Sequence, residues 1–177
     1  KMWPVVKSHL AWEKLNYDPN DDGLYDAYCC IWASDGLYYN SGGVAHSSAY
    51  NYRGNVMAAR IAEILGEDPA PYRKEADKIL KAMNSQLWMD DKGCWAEYKD
   101  LMGLQRLHKS PALWTVYTPI DSYACTPEQA YSATRYVDEN IPQIPIKIEG
   151  EESDFYTLST TNWMPYVWST NNVAQAE

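Results

Sequence analysis

Four carboxylates lie in aromatic-rich segments, where acid–base chemistry is available to them: Asp26, Asp35, Glu97 and Asp121. A carboxyl group flanked by Trp and Tyr is partly desolvated, which raises its pKa and suits it to donate a proton near neutral pH. Glycoside hydrolysis uses two such groups, one to protonate the leaving oxygen and one to attack the sugar or activate water. The alternative for each residue is a solvated surface group or a helix cap.

The aromatic composition also favours a sugar ligand, because 8 Trp and 15 Tyr stand beside a single Phe. Trp and Tyr combine a flat apolar face with a polar group, which suits clefts that bind sugars. The expected ligand-binding residues are Trp32, Tyr38, Asn40, Trp95, Trp114, Asn162, Trp163 and Trp168. The alternative is that the aromatic residues fill the spaces between packed helices, with their polar tips at the surface.

The segment from Asp18 to Gly23 matches the opening D-x-N-x-D-G of a calcium-binding loop, with oxygen ligands expected from Asp18, Asn20 and Asp22. Position twelve of such a loop is Cys29, where a bidentate Glu is required, so a complete EF-hand is excluded. A structural Ca²⁺ therefore stands beside the alternative of a turn held by side-chain to backbone hydrogen bonds. No other cofactor is expected.

Composition and spacing exclude several other classes. The four Cys have no C-x-x-C spacing and the three His lie far apart, so neither a zinc ribbon nor a redox motif is present, while the disulfide state stays open. The 15 Lys and Arg against 24 Asp and Glu give a net charge of −9, which would repel nucleic acid. No run approaches the roughly 18 apolar residues that span a membrane.

Helices must position these candidates, and the hydrophobic periodicity predicts four of them. They cover Trp3 to about Asn16, Val44 to Leu65, a segment from Asp68 to Leu87, and Thr126 to about Asn140. The second helix is apolar on most of its circumference and the third on one face only. A buried helix joined by a short turn to an amphipathic one is an αα-hairpin with an inner and an outer layer. The sequence therefore predicts an all-α fold built from such hairpins.

Long aromatic-rich loops separate these helices, at residues 18–43, 89–125 and 142–170. Loops of this length are uncommon unless they are functional, so we expect the site in them. A last helix begins near Asn171 and is only a turn and a half long at Glu177. We therefore expect residues 1–177 to be about half of a single larger domain, with the remainder of a parent chain covering its apolar faces.

Several segments together resemble the six-hairpin glycosidases. They are Trp32 to Gly36, the helix that follows Gly42-Gly43 and closes with Ile61 to Gly66, and Gly93 to Asp100. Asp18 to Leu24 is similar to the D-x-D-x-D-G-L loop that precedes inner helices of that superfamily. Thr160 to Val173 resembles a segment of uncharacterised glycosidase-like proteins of gut Bacteroidetes. The resemblance covers nearly the whole chain and implies part of an (α/α)₆ toroid.

The resemblance also implies roles for individual carboxylates. Asp35 lies where the bile-acid β-glucosidase type has its nucleophile, although that family has Glu in an E-G-x-x-N-T pattern. Asp121 lies near the acid/base aspartate of that type. Glu97, in a Gly-aromatic-x-Glu-Tyr setting typical of barrel loops, is a further proton donor.

The expected function is therefore hydrolysis of a glycosidic bond in an oligosaccharide or polysaccharide by paired carboxylates. The alternative is a catalytically silent carbohydrate-binding helical domain that keeps the aromatic residues but not a working acid pair. A polysaccharide lyase would need Arg or Lys to neutralise a uronate, and the acidic balance of this chain counts against it. The resemblance further implies a periplasmic or secreted protein.

Overall fold

Five α-helices form most of the part of the chain that the computed structural model describes, which is residues 1–27, 29–31, 37–39, 42–141, 143–145 and 156–158. A π-helical turn (Met83–Leu87) continues the third helix. The fold is therefore mostly α, as the sequence predicts. The helices are α1 (Trp3–Tyr17), α2 (Ala45–Leu65), α3 (Ala70–Ala82), α4 (Leu113–Asp121) and α5 (Pro127–Asn140).

The ends of the predicted helices are confirmed to within a few residues because local signals set them. Gly66 ends α2 in the left-handed conformation (φ 72°), where its N–H donates to the carbonyls of Ala62 and Glu63. Thr126 begins α5 with a capping box: its hydroxyl accepts from Gln129 N–H at 3.2 Å, while the Gln129 side chain accepts from Thr126 N–H at 3.1 Å.

Helix α4 is not expected from the sequence, which predicts that residues 113–121 belong to a loop. The β-branched residues Thr115, Val116 and Thr118 and the internal Pro119 all have low helix propensity. Tertiary packing overrides that preference, because every residue from Leu113 to Pro119 is buried.

Short antiparallel strands occupy parts of the expected loops. β3, β6 and β7 form a three-stranded sheet with β6 in the centre, and the other described strands pair as β1 with β2, β4 with β5 and β8 with β9. Two or three residues are too few to show the alternation by which a strand is recognised in sequence. The strands are β1 (Cys29–Ile31), β2 (Leu37–Tyr39), β3 (Gly43–Val44), β4 (Trp88–Met89), β5 (Cys94–Trp95), β6 (Tyr98–Lys99), β7 (Leu107–His108), β8 (Gln143–Pro145) and β9 (Tyr156–Leu158).

Helix α2 lies at the centre of the packing, against α1, α3 and α4. Its buried residues are mostly small, which lets the neighbouring helices approach closely. Helix α3 buries one face through Ala76, Ile79 and Ala82 and exposes the other, as its pattern predicts. None of the helices formed by the described residues is long and apolar enough to cross a membrane.

Candidate active site

Two of the three expected loops, residues 18–43 and 89–125, meet at strand β3 and the first turn of α2. Ala45 N–H donates to the carbonyl of Glu97 at 3.1 Å, and Asp26 forms a β-bridge opposite Gly43. Because β6 pairs with the other edge of β3, the backbone places Asp26 and Glu97 on the two sides of this strand. We call the group formed by Asp26, His46, Glu97 and His108 the β3 site.

Glu97 is a fully buried carboxyl group at the beginning of β6. Its Oε2 lies 2.7 Å from Nδ1 of His108, whose side chain is 46 % exposed. Burial raises the pKa of Glu97 to about 8, because the charged form loses its solvation. Glu97 is thus suited to hold a proton at neutral pH, as a general acid must.

A local distortion of the sheet aims Glu97 at His108. Tyr98 is the register partner of His108, yet Glu97 N–H also donates to the His108 carbonyl at 3.0 Å. Two residues of one strand then oppose one residue of its neighbour, which is the arrangement of a β-bulge and re-aims a side chain. The Tyr98 and His108 rings stack with centroids 4.6 Å apart and planes 5° apart, which holds the imidazole in place.

Asp26 is the second buried carboxyl group of the site, with 3 % of the residue exposed. Its Oδ2 is buried and has no hydrogen-bond partner. Burial raises the pKa of Asp26 to about 6, and the charges of Asp22 and Asp18 add to this effect. Burial thus raises the pKa of both carboxyl groups, and it raises that of Glu97 further than that of Asp26.

His46, in the first turn of α2, is also buried. Burial lowers its pKa to about 4, so His46 is neutral at pH 7. A neutral His46 adds no positive charge to the site.

None of the described contacts brings the other two proposed carboxylates, Asp121 and Asp35, to this site. Asp121, at the end of α4, pairs with Arg53 in the middle of α2 (Nη1 to Oδ2, 2.7 Å) and is half-exposed. Arg53 follows Ala45 by eight residues, which is about 12 Å along the helix axis. Asp35 lies outside the described residues.

Some of the residues proposed to bind sugar lie in the hydrophobic core, and others lie outside the described residues. Trp95 is fully buried and packs edge-on against Trp88, with ring centroids 4.9 Å apart, and Trp114 is only 5 % exposed. Both indoles have a packing role and present no open face to a ligand here, in line with the alternative interpretation. Tyr38 is placed by the backbone opposite Cys30 in the β1–β2 pair. Trp32, Asn40, Asn162, Trp163 and Trp168 lie outside the described residues.

The proposed calcium loop is occupied by protein contacts that hold a turn. Asp18 accepts the N–H groups of Asp22 (2.9 Å) and Gly23 (3.1 Å), and Asn20 donates to the Asp22 side chain at 3.0 Å. The Lys14 ammonium group pairs with Asp18. In the part of the chain that is described, no three His, Cys, Asp or Glu side chains group closely enough to hold a metal ion. These contacts are the ones expected of the alternative, a turn held by side-chain to backbone hydrogen bonds. The calcium site stays a prediction, and metal analysis of the purified protein tests it.

Basic residues tie this loop to the helices on either side. Lys14 Nζ also lies 2.7 Å from Asp21 Oδ1 and 2.9 Å from Glu75 Oε1, and Lys78 pairs with Asp21. Burial lowers the pKa of Lys14, but its hydrogen bonds to the three carboxylates outweigh this and the pKa lies above its ordinary value. We call Lys14, Asp18, Asp21, Glu75 and Lys78 the Lys14 network.

Cys94 and Cys125 are free thiols. Burial raises the pKa of Cys94 to about 12 and that of Cys125 to about 11, so both thiols stay protonated and unreactive at neutral pH.

His108 is not expected in the site from the sequence, in which it is one of three isolated histidines. A signal for the hairpin that contains it is the turn-forming Gly103 between two short segments, each of which holds a residue typical of strands or cores, Tyr98 and Leu107. Only the register of that hairpin, set in the fold, brings His108 to Glu97.

The comparisons with known proteins find similarity in fold. No family model and no curated protein matches the sequence. The crystal structure of a GH78-family rhamnosidase of Bacillus sp. GL1 is similar over 80 % of this chain and 15 % of its own, with a TM-score of 0.61 and 18 % identity. This chain shares its fold with a segment of that enzyme.

A second solved structure agrees. The rhamnosidase from Klebsiella oxytoca with rhamnose bound is similar over 78 % of this chain and 25 % of its own, with a TM-score of 0.56 and 14 % identity. This chain thus spans 15 % and 25 % of the lengths of the two proteins.

Proposed function

We propose that this chain belongs to a glycoside hydrolase in which Glu97 supplies the proton for the leaving group and Asp26 is the second carboxyl group. The observation that carries the proposal is the β3 site itself. It holds two buried carboxyl groups on the two sides of one strand, with the pKa of Glu97 raised to about 8 and that of Asp26 to about 6. Two carboxyl groups that differ in pKa can divide the roles of acid and base in a glycosidase.

In this mechanism Glu97 protonates the glycosidic oxygen while the carbon–oxygen bond breaks. The Asp26 carboxylate then activates the water that attacks the sugar carbon.

The fold similarity supports the assignment as a glycoside hydrolase and favours one class of substrate. Both solved structures are named as rhamnosidases, and one holds rhamnose. We therefore propose a glycan carrying a deoxyhexose such as rhamnose as the substrate, and the helices as hairpins of an (α/α)₆ toroid, of which these residues form a part.

Single substitutions in the natural full-length protein test the proposal. Hydrolysis of methyl and oligosaccharide glycosides, with α-L-rhamnosides among them, is measured for Glu97→Gln and Asp26→Asn. We expect kcat to fall by about 10²–10⁴-fold in each with sugar binding retained, since loss of a general acid or base removes that much. Glu139→Gln, which alters an exposed ion pair on α5, is the matched control and keeps wild-type turnover.

The remaining carboxylates are tested in the same assay. Asp35→Asn and Asp121→Asn show whether either residue, rather than Asp26, is the second carboxyl group. Unchanged turnover in the Glu97 variant would remove this assignment. Sugar binding by a wild-type protein that hydrolyses none of the glycosides would establish the carbohydrate-binding alternative.

A further inference from the structure

Glu97 and His108 form a closely coupled pair, linked through both side chain and backbone. Besides the 2.7 Å contact between Oε2 and Nδ1, the Glu97 N–H donates to the His108 carbonyl. Stacking on Tyr98 leaves the imidazole little freedom to turn. The ring is therefore held with one nitrogen at the carboxyl group and the other, Nε2, directed away from it.

The two members of the pair differ sharply in their access to solvent. The Glu97 side chain is 1 % exposed, whereas the His108 side chain is 46 % exposed. His108 therefore offers the buried carboxyl group a route by which to exchange a proton with a molecule at the surface. The 2.7 Å between Oε2 and Nδ1 is short enough for a proton to pass once the two groups align, while in the static geometry the described residues form no hydrogen bond to Oε2.

We propose that His108 Nε2 is the atom that contacts the glycosidic oxygen, and that Glu97 acts through His108 as a positioning residue and proton reservoir. This inference rests on the proposed function. It makes His108 the residue that contacts the leaving oxygen, because its side chain is 46 % exposed and that of Glu97 is 1 % exposed, while the proton still comes from Glu97.

The proton balance of this step closes without any further reactant. The proposed step begins with Glu97 as a carboxylic acid whose proton faces Nδ1, and with the proton of the imidazole on Nε2. The Nε2 proton passes to the leaving oxygen, which keeps the electron pair of the breaking carbon–oxygen bond. The Glu97 proton passes to Nδ1, so Glu97 ends as a carboxylate and His108 as the other neutral tautomer. Attack by water on the sugar carbon, with its proton taken by the second carboxyl group, completes the hydrolysis.

The kinetic test compares two substrates that differ in whether the leaving group must be protonated. His108→Gln and His108→Ala are assayed in the full-length protein with a methyl glycoside and with the 2,4-dinitrophenyl glycoside of the same sugar, whose leaving group departs without protonation. We expect kcat on the methyl glycoside to fall about 10²-fold or more and kcat on the dinitrophenyl glycoside to change little. Added imidazole is expected to restore turnover to His108→Ala, which a merely structural role would not produce.

The outcomes separate this inference from the proposed function. Full turnover of the methyl glycoside by the His108 variants, with loss in Glu97→Gln, overturns the relay and leaves Glu97 as a direct donor. Unchanged turnover in the Glu97, Asp26 and His108 variants overturns both, as does a wild-type protein that hydrolyses neither substrate.

A spectroscopic measurement tests the pair without a substrate. Nitrogen-15 NMR of the wild-type imidazoles, with His108 assigned by its absence from the His108→Gln spectrum, reports which ring nitrogen carries a proton. We expect a proton on Nε2 at pH 7. A bare Nε2, with the proton on Nδ1, would leave His108 nothing to donate and would overturn the relay.

Discussion

The Lys14 network and the β3 site both bury a carboxylate to nearly the same extent, yet they surround it differently. Asp18 is 2 % exposed, and its oxygens accept two backbone N–H groups and contact the Lys14 ammonium. Asp26 is 3 % exposed, and its Oδ2 has no hydrogen-bond partner. Burial raises the pKa of Asp18 while Lys14 and Lys78 oppose the rise, but at Asp26 the neighbouring charges of Asp22 and Asp18 increase it.

This difference separates a structural carboxylate from one available for chemistry. A buried charge that is paired and hydrogen-bonded holds its surroundings in one conformation. A buried carboxyl group without such compensation makes the fold less stable when it ionises, and strongly perturbed groups of this kind concentrate at functional sites. Four substitutions test this distinction.

Glu97→Gln should make stability less dependent on pH. The pKa of Glu97 is raised from 4.5 to about 8 in the folded protein, so the folded state binds more protons than the unfolded state between these values. Wild-type stability therefore falls as pH rises from 4.5 to 8, by on the order of 5 kcal/mol, and stays low above pH 8. Thermal unfolding at pH 4.5 and pH 9 should show equal stability of variant and wild type at the lower pH and a more stable variant at the higher. Parallel pH profiles for the two proteins would contradict a raised pKa of Glu97 in the folded protein.

Lys14→Met should destabilise the fold strongly. The substitution leaves the buried Asp18 carboxylate without its cation, and breaking a buried pair on one side costs about 3–5 kcal/mol. Urea unfolding at pH 7 measures the loss. Lys7→Met, which removes an exposed pair with Glu67, is the control and should leave the midpoint nearly unchanged. Equal midpoints for the two variants would erase the contrast between the regions.

Asp26→Asn should stabilise the protein at neutral pH. The folded pKa of about 6 lies above the ordinary 3.8, so the cost of the buried charge is absent below pH 3.8 and complete above pH 6. We expect a gain of about 3 kcal/mol at pH 8 and none at pH 3.5, measured by urea unfolding. A less stable variant at pH 8 would mean that the carboxylate of Asp26 is compensated in the native protein.

Asp21→Asn should have the smallest effect, although Asp21 contacts both lysines of the Lys14 network. The hydrogen bonds to Lys14 and Lys78 lower the pKa of Asp21 to about 2, but its side chain is 72 % exposed. Solvent and salt screen exposed pairs, so we expect no measurable shift of the urea midpoint in 0.15 M salt. A large shift would show that the network depends on its exposed member as well as on Asp18.

Local signals made the helical part of the fold predictable. The 3.6-residue periodicity of α2 and α3 and the cap residues Gly66 and Thr126 act within a few residues of one another, so they can be recognised without knowing what packs where. The turn around Asp18 is local for the same reason. Helix α4 cannot be predicted in this way, because its residues have low helix propensity and the helix is stabilised by their burial.

The sequence by itself determined the mostly helical class and the ends of the predicted helices, and it offered four candidate carboxylates, Asp26, Asp35, Glu97 and Asp121. Tertiary structure alone decided which carboxylates lose their solvation and which partner each meets. Burial and strand register depend on residues distant in sequence: β3 brings Asp26 and Glu97 to its two sides, and the β6–β7 register brings His108 to Glu97. Because desolvation and a partner within hydrogen-bond distance set a pKa, the acid and the base of the proposed site exist only in the folded chain.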